Sequence, residues 1–259
     1  MPAIEANGIK MNYQIDGADN APVLMMSNSL GTNLHMWDKQ VPALSKRFRV
    51  VRYDTRGHGK TDAPSFPYTV TMLGNDAIAL MDALKLGKVN FCGLSMGGMI
   101  GMWLARHVPS RIEQLVLCNT AAKFGATDIW NQRIATVRAS GMKSITDAVI
   151  ERWFTKDFRD QSMKEIQLIV EMLHTTKADG YAGNCAAIRD VDQRWSIADI
   201  KSPTLVIGGK HDPATPFAAA EFIAGRIPGA KLVALEAAHI SNVEQPDAFT
   251  KALDGFLKG

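Results

Sequence analysis

A serine stands between two glycines in Gly93-Leu94-Ser95-Met96-Gly97, with each glycine two residues away. The spacing G-x-S-x-G is that of a nucleophile elbow, a turn from strand to helix that lifts a hydroxyl clear of a sheet. The apolar run Val89–Cys92 before it suits a buried strand. Met96–Arg106 after it suits a helix that Pro109 stops. So sharp a turn strains the serine backbone and crowds the residues two positions away, which must both be small. It also sets Ser95 at a helix N-terminus, whose free N–H groups favour developing negative charge. The chemistry expected is nucleophilic attack by the Ser95 hydroxyl.

A hydroxyl is a weak nucleophile at neutral pH and needs an adjacent base, most often histidine. The chain offers His35, His58, His107, His174, His211 and His239. His107 falls near the end of the helix after the elbow, where a solvated histidine is ordinary, and His174 lies in a later helical stretch. His35, His58 and His211 sit on loops that position alone does not exclude. His239 follows the last strand run and lies downstream of a candidate acid, Asp212, in Gly208-Gly-Lys-His-Asp-Pro. In the order serine, acid, histidine, Asp212 would orient His239 and His239 would take the Ser95 proton. Taken alone, Asp212 is equally a turn residue before Pro213.

Attack on a carbonyl creates an oxyanion, which two preorganised N–H groups must meet. Met96, directly after the nucleophile, supplies one. The loop Asn28-Ser29-Leu30-Gly31-Thr32, after the apolar run ending at Ser27, supplies the other, expected at Leu30.

Positioning these residues falls to alternating strands and helices. Ile9–Ile15 alternates as a half-buried strand does, with Ile9, Met11, Tyr13 and Ile15 on one face. Further strand runs are Pro22–Ser27, Arg49–Tyr53, Gln114–Cys118, Thr204–Gly209 and Lys231–Leu235; helical spacing marks Val70–Leu86, and helices are also expected over Met36–Leu44, Pro216–Gly225 and Pro246–Leu257. Between residues 121 and 196 the β runs vanish, and helical spacing returns in Trp130–Val137, Ile145–Phe154 and Met163–Leu173. The expected architecture is α/β: a mostly parallel sheet with helices on both faces, formed by residues 1–120 and 197–259, with a helical lid inserted at 121–196. Ligands of such sheets bind beyond the carboxyl ends of the strands, where Ser95, Asp212 and His239 all fall.

Composition narrows the function classes. The 259 residues are 46% hydrophobic and 21% charged, ordinary for a globular protein. A net charge of +3 is too mild to indicate a nucleic-acid partner, and no basic run supports one, so none is expected. No apolar stretch is long enough to cross a bilayer, and the N-terminus lacks the basic and apolar regions of a signal peptide. Cys92, Cys118 and Cys185 show no metal spacing and favour a reducing, cytoplasmic location.

With these residues assembled, the chain resembles the α/β-hydrolases over its whole length and, among them, the 3-oxoadipate enol-lactonases. The resemblance is carried by Asn28-Ser-Leu-Gly-Thr, Trp37-Asp38, Arg52-Tyr-Asp-Thr-Arg-Gly-His-Gly, Gly93-Leu-Ser-Met-Gly-Gly-Met-Ile-Gly, Arg152-Trp-Phe-Thr, and Gly180-Tyr-Ala-Gly-Asn-Cys-Ala-Ala-Ile-Arg-Asp. The elbow and the Arg-Gly-His-Gly loop are shared by many hydrolases; the Asn-Ser-Leu-Gly-Thr loop and the lid segments are more specific. Where many hydrolases carry His-Gly, this chain has Asn28-Ser29. The resemblance implies cofactor-free and metal-free hydrolysis, through an acyl-enzyme, of a small enol-lactone bearing an acetate carboxylate, as in the β-ketoadipate pathway of aromatic degradation. An anionic substrate calls for a lid cation, Arg133 or Arg152, with Arg133 preferred, and Trp130 and Trp153 would wall the pocket. The same three catalytic residues would serve a carboxylesterase, a perhydrolase or a carbon–carbon bond hydrolase. A non-catalytic ligand receptor would be expected to lack part of the triad, and no member is missing. Nothing in the sequence fixes the oligomeric state.

Overall fold

The computed structural model describes residues 2–257. Eight strands form one sheet: β1 (Ala3–Ala6), β2 (Ile9–Asp16), β3 (Val23–Ser27), β4 (Arg49–Tyr53), β5 (Val89–Leu94), β6 (Ile112–Cys118), β7 (Thr204–Gly209) and β8 (Lys231–Leu235). Their spatial order is β1-β2-β4-β3-β5-β6-β7-β8, antiparallel across β1/β2 and β2/β4 and parallel from there on. This is the α/β-hydrolase fold. The helices are α1 (Val41–Leu44), α2 (Val70–Ala83), α3 (Met96–His107), α4 (Thr127–Ser140), α5 (Thr146–Trp153), α6 (Lys156–Gln161), α7 (Met163–Thr175), α8 (Ala178–Asp190), α9 (Phe217–Arg226), α10 (Ser241–Glu244) and α11 (Pro246–Leu257).

β5 is buried at every position because helices cover both faces of the central sheet, which is why it reads as an unbroken apolar run. α2 and α3 meet through Gly74, where a Cβ would come within 2.1 Å of the Trp103 ring. Along β2 the expected alternation holds at Ile9, Lys10 and Met11, which are buried, exposed and buried, whereas Tyr13–Asp16 are all half-buried. Asn12 breaks the pattern by being buried too, because its amide donates to Asp54 Oδ2 at 2.7 Å.

The structure departs from expectation in three places. β1 carries no apolar alternation; it forms because Asn7 and Gly8 both take positive φ (49° and 71°) and close a two-residue hairpin onto β2. The helix expected over Met36–Leu44 is instead a 3-10 turn at Leu34–Trp37, started by the Asn33 side chain accepting from the His35 N–H, followed by the short α1 with Pro42 in its first turn. α6 and α8 lack helical spacing in the sequence. α8 is buried on all sides from Gly180 to Ile188, so it has no polar face to give it a period.

Between β6 and β7 the described chain is helical, with no strand. α8 lies directly on the loop after β4. A Cβ on Gly57 would meet Gly180 Cα at 2.7 Å, a Cβ on Gly180 would meet the Gly57 carbonyl oxygen at 2.4 Å, and the Asn184 amide donates to the Arg56 carbonyl at 2.7 Å.

Candidate active site

The turn from β5 to α3 has the strain its spacing predicts: Ser95 sits at φ 57° and ψ −111°. A Cβ on Gly93 would fall 2.1 Å from the Gly97 carbonyl oxygen, and one on Gly97 would fall 2.2 Å from that of Ser27. No side chain fits at either place. The conformation is held from outside, since the Ser95 N–H donates to the Cys118 carbonyl at 2.8 Å and the Thr120 hydroxyl donates to the Ser95 carbonyl at 2.7 Å. β6 thus clamps the elbow.

Asp212 and His239 sit on the loops after β7 and β8. Gly209 lets these loops approach, because a Cβ there would lie 2.4 Å from both the Ala237 and Ala238 carbonyl oxygens. His239 Nδ1 is 2.8 Å from Asp212 Oδ2, with both residues buried. The Thr215 hydroxyl donates to the same oxygen at 2.7 Å and lies 3.3 Å from Nδ1. Asn119 Nδ2 adds a third contact to Oδ2 at 3.0 Å, and the Ala214 and Thr215 N–H groups donate to Oδ1 at 2.8 and 2.9 Å. Burial opposes the carboxylate charge, but His239 and these donors outweigh it and hold Asp212 below the ordinary carboxylate range. A carboxylate so satisfied accepts from Nδ1–H, which leaves the Nε2 lone pair of a neutral imidazole free to take a proton.

The other histidines are otherwise engaged. His35 pairs with exposed Asp38, His211 with exposed Glu236, His107 stacks on Trp103, and His174 contacts the Thr146 hydroxyl. His58 is buried, and its Nε2 accepts from the Gly31 N–H at 2.8 Å.

That contact belongs to the loop expected to supply the second oxyanion donor. Asn28 turns inward: its amide donates to the Ser29 and Thr32 carbonyls, and its Oδ1 accepts from the Thr55 N–H and hydroxyl. The Ser29 N–H donates to Met36 Sδ at 3.3 Å. Every N–H from Ser29 to Thr32 is thereby engaged except that of Leu30, which has no acceptor among the described residues. The Met96 N–H, at the first position of α3, has no intrahelical acceptor either.

Ser95, Leu30 and His239 line one narrow cavity of about 40 Å³, together with Trp130, Arg133 and Trp153 from α4 and α5. The Trp153 ring centre lies 6.1 Å from that of His239. Trp130 anchors its indole N–H on the Phe124 carbonyl at 3.1 Å and presents its ring to Arg133, whose guanidinium lies 5.1 Å from the ring centre. Trp130 and Arg133 are three residues apart on α4 and share a face. A larger cavity of about 400 Å³ beside α7 contains none of the predicted site residues. Among the described residues, no group of three or more His, Cys, Asp or Glu side chains is placed to hold a metal, and no helix is long and apolar enough to cross a membrane.

Sequence reasoning did not single out Asn119, Thr215, Ser241 or Glu244. Asn119 has φ 42°, donates to Asp212 and to the Ala238 carbonyl, and accepts from the Ser241 hydroxyl. Glu244 accepts from the Ala238 N–H and from Thr155, which ties α6 to the loop carrying His239. Asn119 follows directly on β6 at a carboxyl end of the sheet, the one signal that would have marked it.

The model of the alpha/beta hydrolase fold family matches residues 22–165, and one described as TAP-like protein matches 172–259. The chain is similar to 3-oxoadipate enol-lactonase 2 of Acinetobacter baylyi, with 42% identity over 98% of this chain and 96% of that protein. Among solved structures it is similar to the enol-lactonase from Burkholderia xenovorans LB400, at 48% identity and a TM-score of 0.99 with both chains covered at 100%. It is also similar to a hydrolase from Pseudomonas aeruginosa PA01, at 44% identity and a TM-score of 0.97 over 100% of this chain and 98% of that one.

Proposed function

Because the chain belongs to the 3-oxoadipate enol-lactonase family of α/β-hydrolases, we propose that it opens 3-oxoadipate enol-lactone to 3-oxoadipate, through a Ser95-His239-Asp212 triad. The observation that carries this reading is the 2.8 Å contact between His239 Nδ1 and Asp212 Oδ2, with the imidazole facing the same cavity as the strained Ser95. The family is one of carboxylic ester hydrolases. The finer assignment of substrate comes from the name of the relatives and from the cation in the cavity wall.

Ser95 Oγ attacks the lactone carbonyl carbon while His239 Nε2 takes its proton. The carbonyl oxygen becomes an oxyanion that accepts from the Leu30 and Met96 N–H groups. As the tetrahedral species collapses, the ring C–O bond breaks and the enol oxygen leaves with the proton from His239. The enol then tautomerises to a ketone. Water, deprotonated by His239, attacks the acyl-Ser95 ester, and collapse frees the Ser95 hydroxyl and a second carboxylate. Asp212 stabilises the imidazolium in both halves. Arg133 holds the carboxylate that the lactone already carries, and Trp130 and Trp153 wall the ring. Residues 121–196 act as the lid that closes the cavity.

The test is the decay of enol-lactone absorbance with purified protein. Wild type should hydrolyse the lactone and Ser95→Ala should lose at least about 10³-fold in kcat. Equal rates for the two proteins would overturn the assignment of the nucleophile.

A further inference from the structure

A second cavity, about 220 Å³, adjoins the catalytic one on the outer side of α4 and α5. Arg133 lines both cavities and Arg152 lines only the outer one. Arg152 and Trp153 are neighbours on α5, so their side chains diverge by roughly 100° around the helix; Trp153 faces His239 and Arg152 faces outward. Gln132, Thr136 and Ser144 add polar groups to the outer wall.

Nine of the chain's thirteen arginines have a carboxylate partner: 47, 49, 52, 56, 106, 111, 138, 189 and 194. The other four, 133, 152, 159 and 226, lack a carboxylate partner among the described residues, and of these only Arg133 and Arg152 line a common cavity. These two are close enough to influence each other. Burial, and after it the charge of Arg133, draws the Arg152 guanidinium below its ordinary range. The buried Tyr181 hydroxyl feels both guanidinium charges. Glu151 offsets part of this effect on Arg152, but two cations lining one cavity still raise each other's energy, and an anion between them relieves both.

We propose that Arg152 and Arg133 form a second anion subsite in this outer cavity, which takes the carboxylate of a small organic acid outside the catalytic chamber. The outer cavity, about 220 Å³ against about 40 Å³ for the inner one, accommodates a carboxylate and several carbons. The subsite therefore receives an incoming carboxylate before the ring reaches Ser95, and draws the dicarboxylate product outward after the second carboxylate has formed. Its role in turnover rests on the lactonase reading above; its affinity for anions does not.

The experiment measures adipate dianion binding to the Ser95→Ala protein by titration calorimetry, with dimethyl adipate as the uncharged control. Adipate should bind, dimethyl adipate should not, and adding Arg152→Gln should weaken adipate by about tenfold or more. Arg152→Lys, which keeps the charge but loses the planar fork, should fall between the two. In the active enzyme, Arg152→Gln should raise the product inhibition constant and the KM for the anionic lactone far more than the KM for 4-nitrophenyl acetate. Adipate binding unchanged by Arg152→Gln, or insensitive to added salt in the Ser95→Ala protein alone, overturns the subsite. If the wild type fails to hydrolyse the lactone while adipate binding still depends on Arg152, the lactonase reading falls and the subsite stands.

Discussion

His58 Nε2 accepts the Gly31 N–H at 2.8 Å, so a buried imidazole fixes the loop on which the preceding residue, Leu30, leaves its own N–H free. Only a neutral His58 can accept at Nε2. Burial lowers its pKa from the model-compound value of 6.5 to about 4, outweighing its contacts with the Arg56 and Thr55 backbone. Between these two values the unfolded chain binds a proton that the folded chain refuses. The stability from a neutral His58 is thus complete above pH 6.5 and is lost as the pH falls to about 4. A shift of this size corresponds to about 3 kcal/mol. Chemical denaturation of wild type across this range should show a fall that His58→Gln lacks; parallel curves for the two proteins would remove His58 as its source.

Gly57 and Gly180 press backbone against backbone where α8 meets the loop after β4. Neither position has room for a methyl group, and Gly57 also takes φ +81°. Gly180→Ala should destabilise the protein by about 1–3 kcal/mol through overpacking. Because the displaced helix also carries Tyr181, whose ring packs on Gly31, lactone hydrolysis should drop as well. A melting temperature unchanged from wild type would show that the two segments separate freely.

Asp212→Asn keeps the shape of the acid but offers His239 a neutral partner. The imidazole then loses its preference for the tautomer with a free Nε2, and kcat should fall by about 10⁴-fold with the fold intact. Circular dichroism beside the kinetics separates this outcome from unfolding. A loss below about tenfold would mean that another group orients His239.

Arg133→Ala removes a lid cation that lines the same cavity as Ser95. A hydrogen bond to a charged group contributes about 1.5–3 kcal/mol, so KM for the anionic lactone should rise about 10–100-fold while that for a neutral nitrophenyl ester changes little. Equal effects on both substrates would assign Arg133 to packing against Trp130 instead.

Features that depend on near neighbours in the chain were legible without coordinates. The elbow is one: the crowding of Gly93 and Gly97 arises within five residues, so spacing alone predicts the strain later seen at Ser95. The buried strands are another, because burial on both faces leaves an apolar run. Where folding hides the period, the sequence was silent. α8 is enclosed on every side and β1 is defined by its turn rather than by its own residues.

The sequence by itself determined a serine on a strand-to-helix turn, an acid and a histidine after later strands, and an α/β order that sends all three to one edge of a sheet. Tertiary structure decided which histidine faces the acid, that Asn119 and Thr215 join His239 in holding that acid ionised, that Leu30 is the residue of its loop whose N–H stays free, and that Arg133 reaches both cavities while Arg152 lines only the outer one. The physical reason is range. Backbone strain and amphipathic period act over a few bonds, whereas a hydrogen bond between residues 119 and 212 exists only once a whole sheet has been assembled between them.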